Sequence, residues 1–143
     1  VVSDGTTTSV LLEGTEADVA SQFDVAGLRE TGDRPAFPEG PHRGRISVSP
    51  GSVSAVRAAL ARAAGVRFLA ETGVGTVHVA APKPEGLVQA RGIAEESGGW
   101  MLREQGGDDM DPFGTAFPAQ TVMRRIRDAF DPTRKFSPER LPL

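Results

Sequence analysis

The stretch from Val66 to Ala80 constrains the fold more than any other. Val66 to Glu71 and Thr76 to Ala80 are two short strand-forming runs, and glycines at 73 and 75 lie between them. Glycine supplies the backbone conformations that a tight connection between antiparallel strands demands, so the pattern predicts a hairpin. In its second strand Val77 and Val79 share one face, and Thr76, His78 and Ala80 share the other. A helical pattern flanks the hairpin on each side. Val53, Val56, Leu60 and Ala64 form one stripe, with Arg57 and Arg62 off it, between a candidate cap at Ser52 and a stop at Gly65. Pro82 and Pro84 introduce a helix over about 85–97 with Leu87, Ala90, Ile93 and Ala94 on one stripe, ending at Gly98-Gly99.

Outside this centre the elements are shorter. Arg45 to Ser49 alternates polar and apolar, as a half-buried strand does, and Trp100-Met101-Leu102 begins another. Residues 1–8 read as a loose lead-in and Ser9 to Glu13 as a short strand. Thr15-Glu16-Ala17-Asp18 is a capping box for a helix carrying Val19, Phe23 and Ala26, closed near Gly27. Residues 31–44, with three prolines and three glycines, read as a loop. A last helix over about 119–130 places Val122, Ile126, Ala129 and Phe130 inward and its arginines mostly outward; Asp131-Pro132 stops it. The order β-α-β-α-β-β-α-β-α predicts an α+β domain: a mostly antiparallel sheet, ferredoxin-like, with helices packed on one face.

Composition then removes whole classes of chemistry. The chain has no cysteine, which excludes disulfides, thiolate metal sites and cysteine nucleophiles, and only two histidines. A net charge of −3 argues against nucleic-acid binding through global charge. No apolar run approaches the roughly 20 residues of a membrane span, so none is expected. Dinucleotide, phosphate-loop, metalloprotease and nucleophile-elbow motifs are missing, and the pair Gly73–Gly75 is too short for a phosphate loop. Asp108, Asp109 and Asp111 lack the ligand spacing of a calcium loop and read as a polar loop, so no metal is expected. His78 reads either as a pocket base or as an ordinary strand histidine; His42, between Pro41 and Arg43, reads as a solvated loop residue. Residues 124–140 carry six basic and three acidic side chains, a local +3, suited to an acidic partner or an anionic ligand.

The ending carries a resemblance. Met123-Arg124-Arg125-Ile126-Arg127-Asp128-Ala129-Phe130-Asp131-Pro132, followed by Phe136-Ser137-Pro138-Glu139-Arg140-Leu141, resembles the C-terminal signature of FAD-linked oxidases of the vanillyl-alcohol oxidase type. Leu12-Glu13-Gly14 before a helix, the strand from Arg45 to Val48, the glycine hairpin and Gly98-Gly99 before a strand are similar in order to the cap of that family, most of all to flavin-binding subunits of glycolate oxidase. The resemblance implies that residues 1–143 are a C-terminal cap or substrate domain. FAD would then be held mainly by an N-terminal domain outside this sequence, an expectation that fits a chain beginning at Val1 rather than Met. It implies a cytoplasmic oxidase or dehydrogenase that passes hydride from a 2-hydroxy acid such as glycolate to the flavin, with the isolated chain inactive. The partners it implies are its own N-terminal FAD domain and the small-molecule substrate, and the basic C-terminal end suits docking of an iron–sulfur electron-transfer subunit. In that setting Arg45 and Arg140 are the candidates for gripping a substrate carboxylate, because a guanidinium forks onto two oxygens, and His78 is the candidate for the hydroxyl proton. The alternative is a stand-alone ferredoxin-like domain that binds or senses a small molecule without catalysis.

Overall fold

A computed structural model describes residues 1–30, 35–114 and 120–135. Six strands and four α-helices follow in the order β1 (Val2–Ser3), β2 (Thr8–Ser9), α1 (Glu16–Ala26), β3 (His42–Ser47), α2 (Val53–Leu60), β4 (Arg67–Glu71), β5 (Thr76–Ala81), α3 (Pro84–Glu96), β6 (Trp100–Gln105) and α4 (Gln120–Phe130). All six strands join one sheet in the order β2-β1-β4-β5-β3-β6, and every neighbouring pair is antiparallel. The α+β class and the antiparallel sheet are as the sequence predicts.

The core lies between the sheet and two helices. In α2, Val53, Val56 and Leu60 are wholly buried, and in α3 so are Leu87, Ala90 and Ala94. They meet Ile46, Val77, Val79, Phe68, Ala70 and Met101 from one face of the sheet. Registers explain the grouping: Met101, Ile46, Val77 and Ala70 are successive cross-strand partners, as are Gly44, Val79 and Phe68. Direct partners share a face, so these rows form one apolar wall. Each wholly buried valine, leucine or isoleucine among them (Ile46, Val53, Val56, Leu60, Val77, Leu87) contributes about 1.5–3 kcal/mol.

Several local expectations are corrected. The first strand is not Ser9 to Glu13 but a small hairpin within the supposed lead-in. Asp4 makes it: its Oδ1 accepts the N–H groups of Thr6 and Thr7 at 2.9 and 2.7 Å, which closes the turn. Buried Ser3 then accepts a bond from Arg57 Nη2 at 2.7 Å, so Arg57, expected off the packing stripe, ties α2 to β1. β3 begins at His42, inside the predicted loop. Ser52 does not cap α2; it belongs to a turn of 3-10 helix at Pro50–Ser52, and its hydroxyl meets that of Ser49 at 2.9 Å. α2 ends at Leu60, and tighter bonds such as Ala63 N–H to Leu60 O turn Ala63 inward and leave Ala64 exposed.

The terminal helices depart most. α1 has the predicted cap, with Asp18 N–H donating to Thr15 Oγ1 at 3.3 Å, and the predicted left-handed stop at Gly27. Yet it buries no residue. α4 also buries none, and the side chains expected inward are open: Val122 is 53 % exposed, Ile126 54 % and Phe130 81 %. The expectation that the helices pack on one face of the sheet therefore holds for α2 and α3 only.

Candidate functional site

With α2 and α3 on one face, the other face of the sheet carries the side chains of opposite parity. Strand register fixes what stands beside what. Leu102, Arg45, His78 and Leu69 form one cross-strand row over β6, β3, β5 and β4. Trp100, Ser47, Thr76 and Glu71 form the next. Arg45 and His78 are direct partners, which sets their Cβ atoms about 5 Å apart on a common face. Two of the three residues singled out in the sequence are thus brought together. The third, Arg140, lies outside the described residues.

His78 sits at the more enclosed end of this pair. Its side chain is 22 % exposed, and Phe37 meets it edge-on with ring centroids 4.6 Å apart. Nε2 lies 3.8 Å from Glu71 Oε2, one step diagonally across the hairpin. The segment carrying Phe37 is tied to β4 by Arg67, whose guanidinium donates to the carbonyl of Glu39. Arg45 is half-exposed, and its Nε lies 3.7 Å from Glu104 Oε1. An exposed pair at that distance is worth about 0–1 kcal/mol, so a stronger carboxylate ligand displaces Glu104 at little cost. Arg43 on the same strand donates to Gln105 Oε1 at 2.5 Å.

Glu71, Glu104 and Phe37 are the members that sequence reasoning missed. Glu71 had a signal: it closes the first strand of a hairpin whose second strand carries His78, so register alone puts the two within a diagonal step. Phe37 had none, because only the path of its segment places it beside His78.

The other candidates take structural roles. His42 is half-buried at the start of β3, where its Nδ1 accepts the N–H of Gly107 at 3.0 Å, so it is not a solvated loop residue. Gly106 packs against it so closely that a Cβ there would lie 2.3 Å from Nδ1. The three loop aspartates are separated in use. Asp111 Oδ1 accepts from the N–H groups of Phe113 and Gly114, while Asp108 pairs with Arg103 at 3.3 Å. Among the described residues no cluster of three histidines or carboxylates suits a metal ion. Arg91 pins the same loop through the carbonyl of Asp111 at 2.6 Å, and burial holds its guanidinium below the usual value, opposed by Glu95 and Asp111.

The glycine turn between β4 and β5 does not fit a pyrophosphate. The N–H groups of Val74 and Gly75 both donate to Glu71 O, and Gly75 O accepts from Val48 N–H. A Cβ at Gly75 would lie 2.0 Å from Val48 O, so the turn is packed against the chain rather than open to a ligand. No helix among the described residues is long and apolar enough to cross a membrane.

Comparison of the chain with protein-family models, with curated proteins and with solved structures returned no match.

Proposed function

We propose that this chain is the substrate-facing cap of an FAD-linked oxidoreductase acting on a 2-hydroxy acid such as glycolate. The observation that carries the reading is the direct register pairing of Arg45 with His78 on the sheet face opposite α2 and α3. The order of β3 to β6 with its two helical crossovers supports the finer fold assignment, a ferredoxin-like βαββαβ unit extended by the β1–β2 hairpin. Among the described residues, the glycine turn at 73–75 is closed against Val48 and offers no cradle for the pyrophosphate of FAD. The reading places the flavin on a neighbouring domain.

Within that frame the chain's own side chains divide the work. Arg45 offers a fork to the substrate carboxylate in place of Glu104. His78, one strand away, lies within reach of the 2-hydroxyl. With Nε2 turned toward Glu71, the lone pair of Nδ1 is left to take the hydroxyl proton. Glu71 acts as a positioning residue that favours this tautomer and ring orientation. A planar guanidinium beside a base suits a 2-hydroxy acid because its carboxylate and hydroxyl are held on adjacent carbons.

The test is turnover by the natural protein that contains this sequence. Across a panel of 2-hydroxy acids, Arg45→Ala should raise KM with a small effect on kcat, and His78→Gln should lower kcat by about 100-fold or more. A natural protein that purifies without flavin and oxidises none of the panel would refute the reading. One observation favours the alternative, a small-molecule-binding or regulatory domain without catalysis: the described residues complete a core of their own. Under that alternative, the chain by itself binds a 2-hydroxy acid at Arg45 and His78 and leaves it unchanged.

A further inference from the structure

We propose that α4 is an interfacial helix that lays its apolar stripe on an anionic lipid surface. Val122, Ile126 and Phe130 recur every four residues, and with Ala129 they span an arc of roughly 100°. All four are exposed. The contrast with α2 and α3 is the informative point: those helices bury their stripes in the core, whereas α4 shows an equally well-segregated stripe to solvent. The remainder of α4 is strongly polar, so the helix is hydrophilic on the whole although its two faces differ sharply. That combination marks a helix lying in the plane of a membrane surface.

Charge selects the occupant. Arg125 borders the stripe on one side, so its stem can lie along the apolar layer with its head at phosphate level; on the other side Met123 is followed by Arg127, whose guanidinium donates to Asp128 Oδ1 at 2.9 Å. Residues 120–135 carry five basic and two acidic side chains, a net +3. A second copy of the same helix would set arginine against arginine, which disfavours self-association through this stripe. An anionic bilayer answers both features at once, taking the stripe into its headgroup boundary and the arginines onto its phosphates. The helix is about 16 Å long, enough for three turns of contact and far short of a span.

The experiment is co-sedimentation of the whole chain with vesicles of phosphatidylglycerol mixed with phosphatidylcholine, and with vesicles of phosphatidylcholine alone. The expected result is binding to the anionic vesicles, weakened by salt, and little to the neutral ones. Arg124→Gln with Arg125→Gln should lower the partition coefficient about 30-fold. Ile126→Glu should lower it more than 10-fold; because Ile126 is exposed, its circular dichroism should be unchanged. No binding to anionic vesicles overturns the proposal, and that is the result expected if the stripe instead seats in an acidic groove of a protein. Binding that survives both sets of substitutions, or that is equal on neutral vesicles, overturns it as well.

Discussion

Two glycines in one turn should respond in opposite ways to the same substitution. Gly75 has φ +76°, and a Cβ there would lie 2.0 Å from Val48 O. Alanine in that left-handed conformation costs about 1–2 kcal/mol. Relieving the overlap moves the Val48 carbonyl and strains or breaks the 2.9 Å bond from Val48 N–H to Gly75 O, about 1 kcal/mol. Repacking around the intruding methyl adds about 1 kcal/mol. Against this, alanine restricts the unfolded chain and returns about 0.4–1 kcal/mol. Gly75→Ala should therefore destabilise by about 3 kcal/mol, near 10 °C in melting temperature for a chain of this size. Gly73 has no neighbour within 4 Å of a built Cβ and no left-handed backbone, so Gly73→Ala should be neutral or slightly stabilising. Thermal and urea unfolding followed by circular dichroism measure both. Midpoints for the two variants within about 2 °C of each other would refute the reasoning. The turn also bears on the site, because a one-residue slip in β5 would move His78 from the face it shares with Arg45 to the face packed against α2 and α3.

Other outcomes follow from the same contacts. Leu60→Ala removes a wholly buried side chain between α2 and the sheet and should cost about 2–5 kcal/mol by urea denaturation. The backbone N–H groups of Thr7 and Thr6 hold the Asp4 carboxylate below its ordinary value of 3.8. A depressed folded value means that the β1–β2 turn is favoured above that pH and loses this support as pH falls through the lowered value. Amide exchange of Thr6 and Thr7 should therefore quicken in acid relative to the core amides, and Asp4→Ala should show that loss already at neutral pH. His42→Ala strands the Gly107 N–H and should cost about 1 kcal/mol, with the 106–114 loop becoming more sensitive to protease than the sheet.

The central elements were legible because their signals are local. The two strands of the hairpin, the stripes of α2 as far as Leu60 and of α3, and the left-handed stop of α1 at Gly27 follow from periodicity or from a single residue's backbone freedom; Gly65 is left-handed as well, but α2 has already ended at Leu60. The β1–β2 hairpin was missed because a serine–aspartate–glycine–threonine run has no apolar alternation. What pairs it is one carboxylate in the turn and one arginine reaching from α2, 54 residues away. The pattern of α4 was read correctly as amphipathic and wrongly as buried.

What the sequence determined by itself is therefore a set of short elements and the chemistry available on each face of each one. Only the tertiary structure decided which faces meet. Arg45 and His78 are 33 residues apart, and their adjacency exists because β5 pairs with β3 and not with β6. The same holds for the apolar stripes: periodicity states that a helix has an oily side, and burial depends on whether another layer of the fold arrives to cover it. For α2 and α3 the sheet does; for α4 nothing among the described residues covers the stripe.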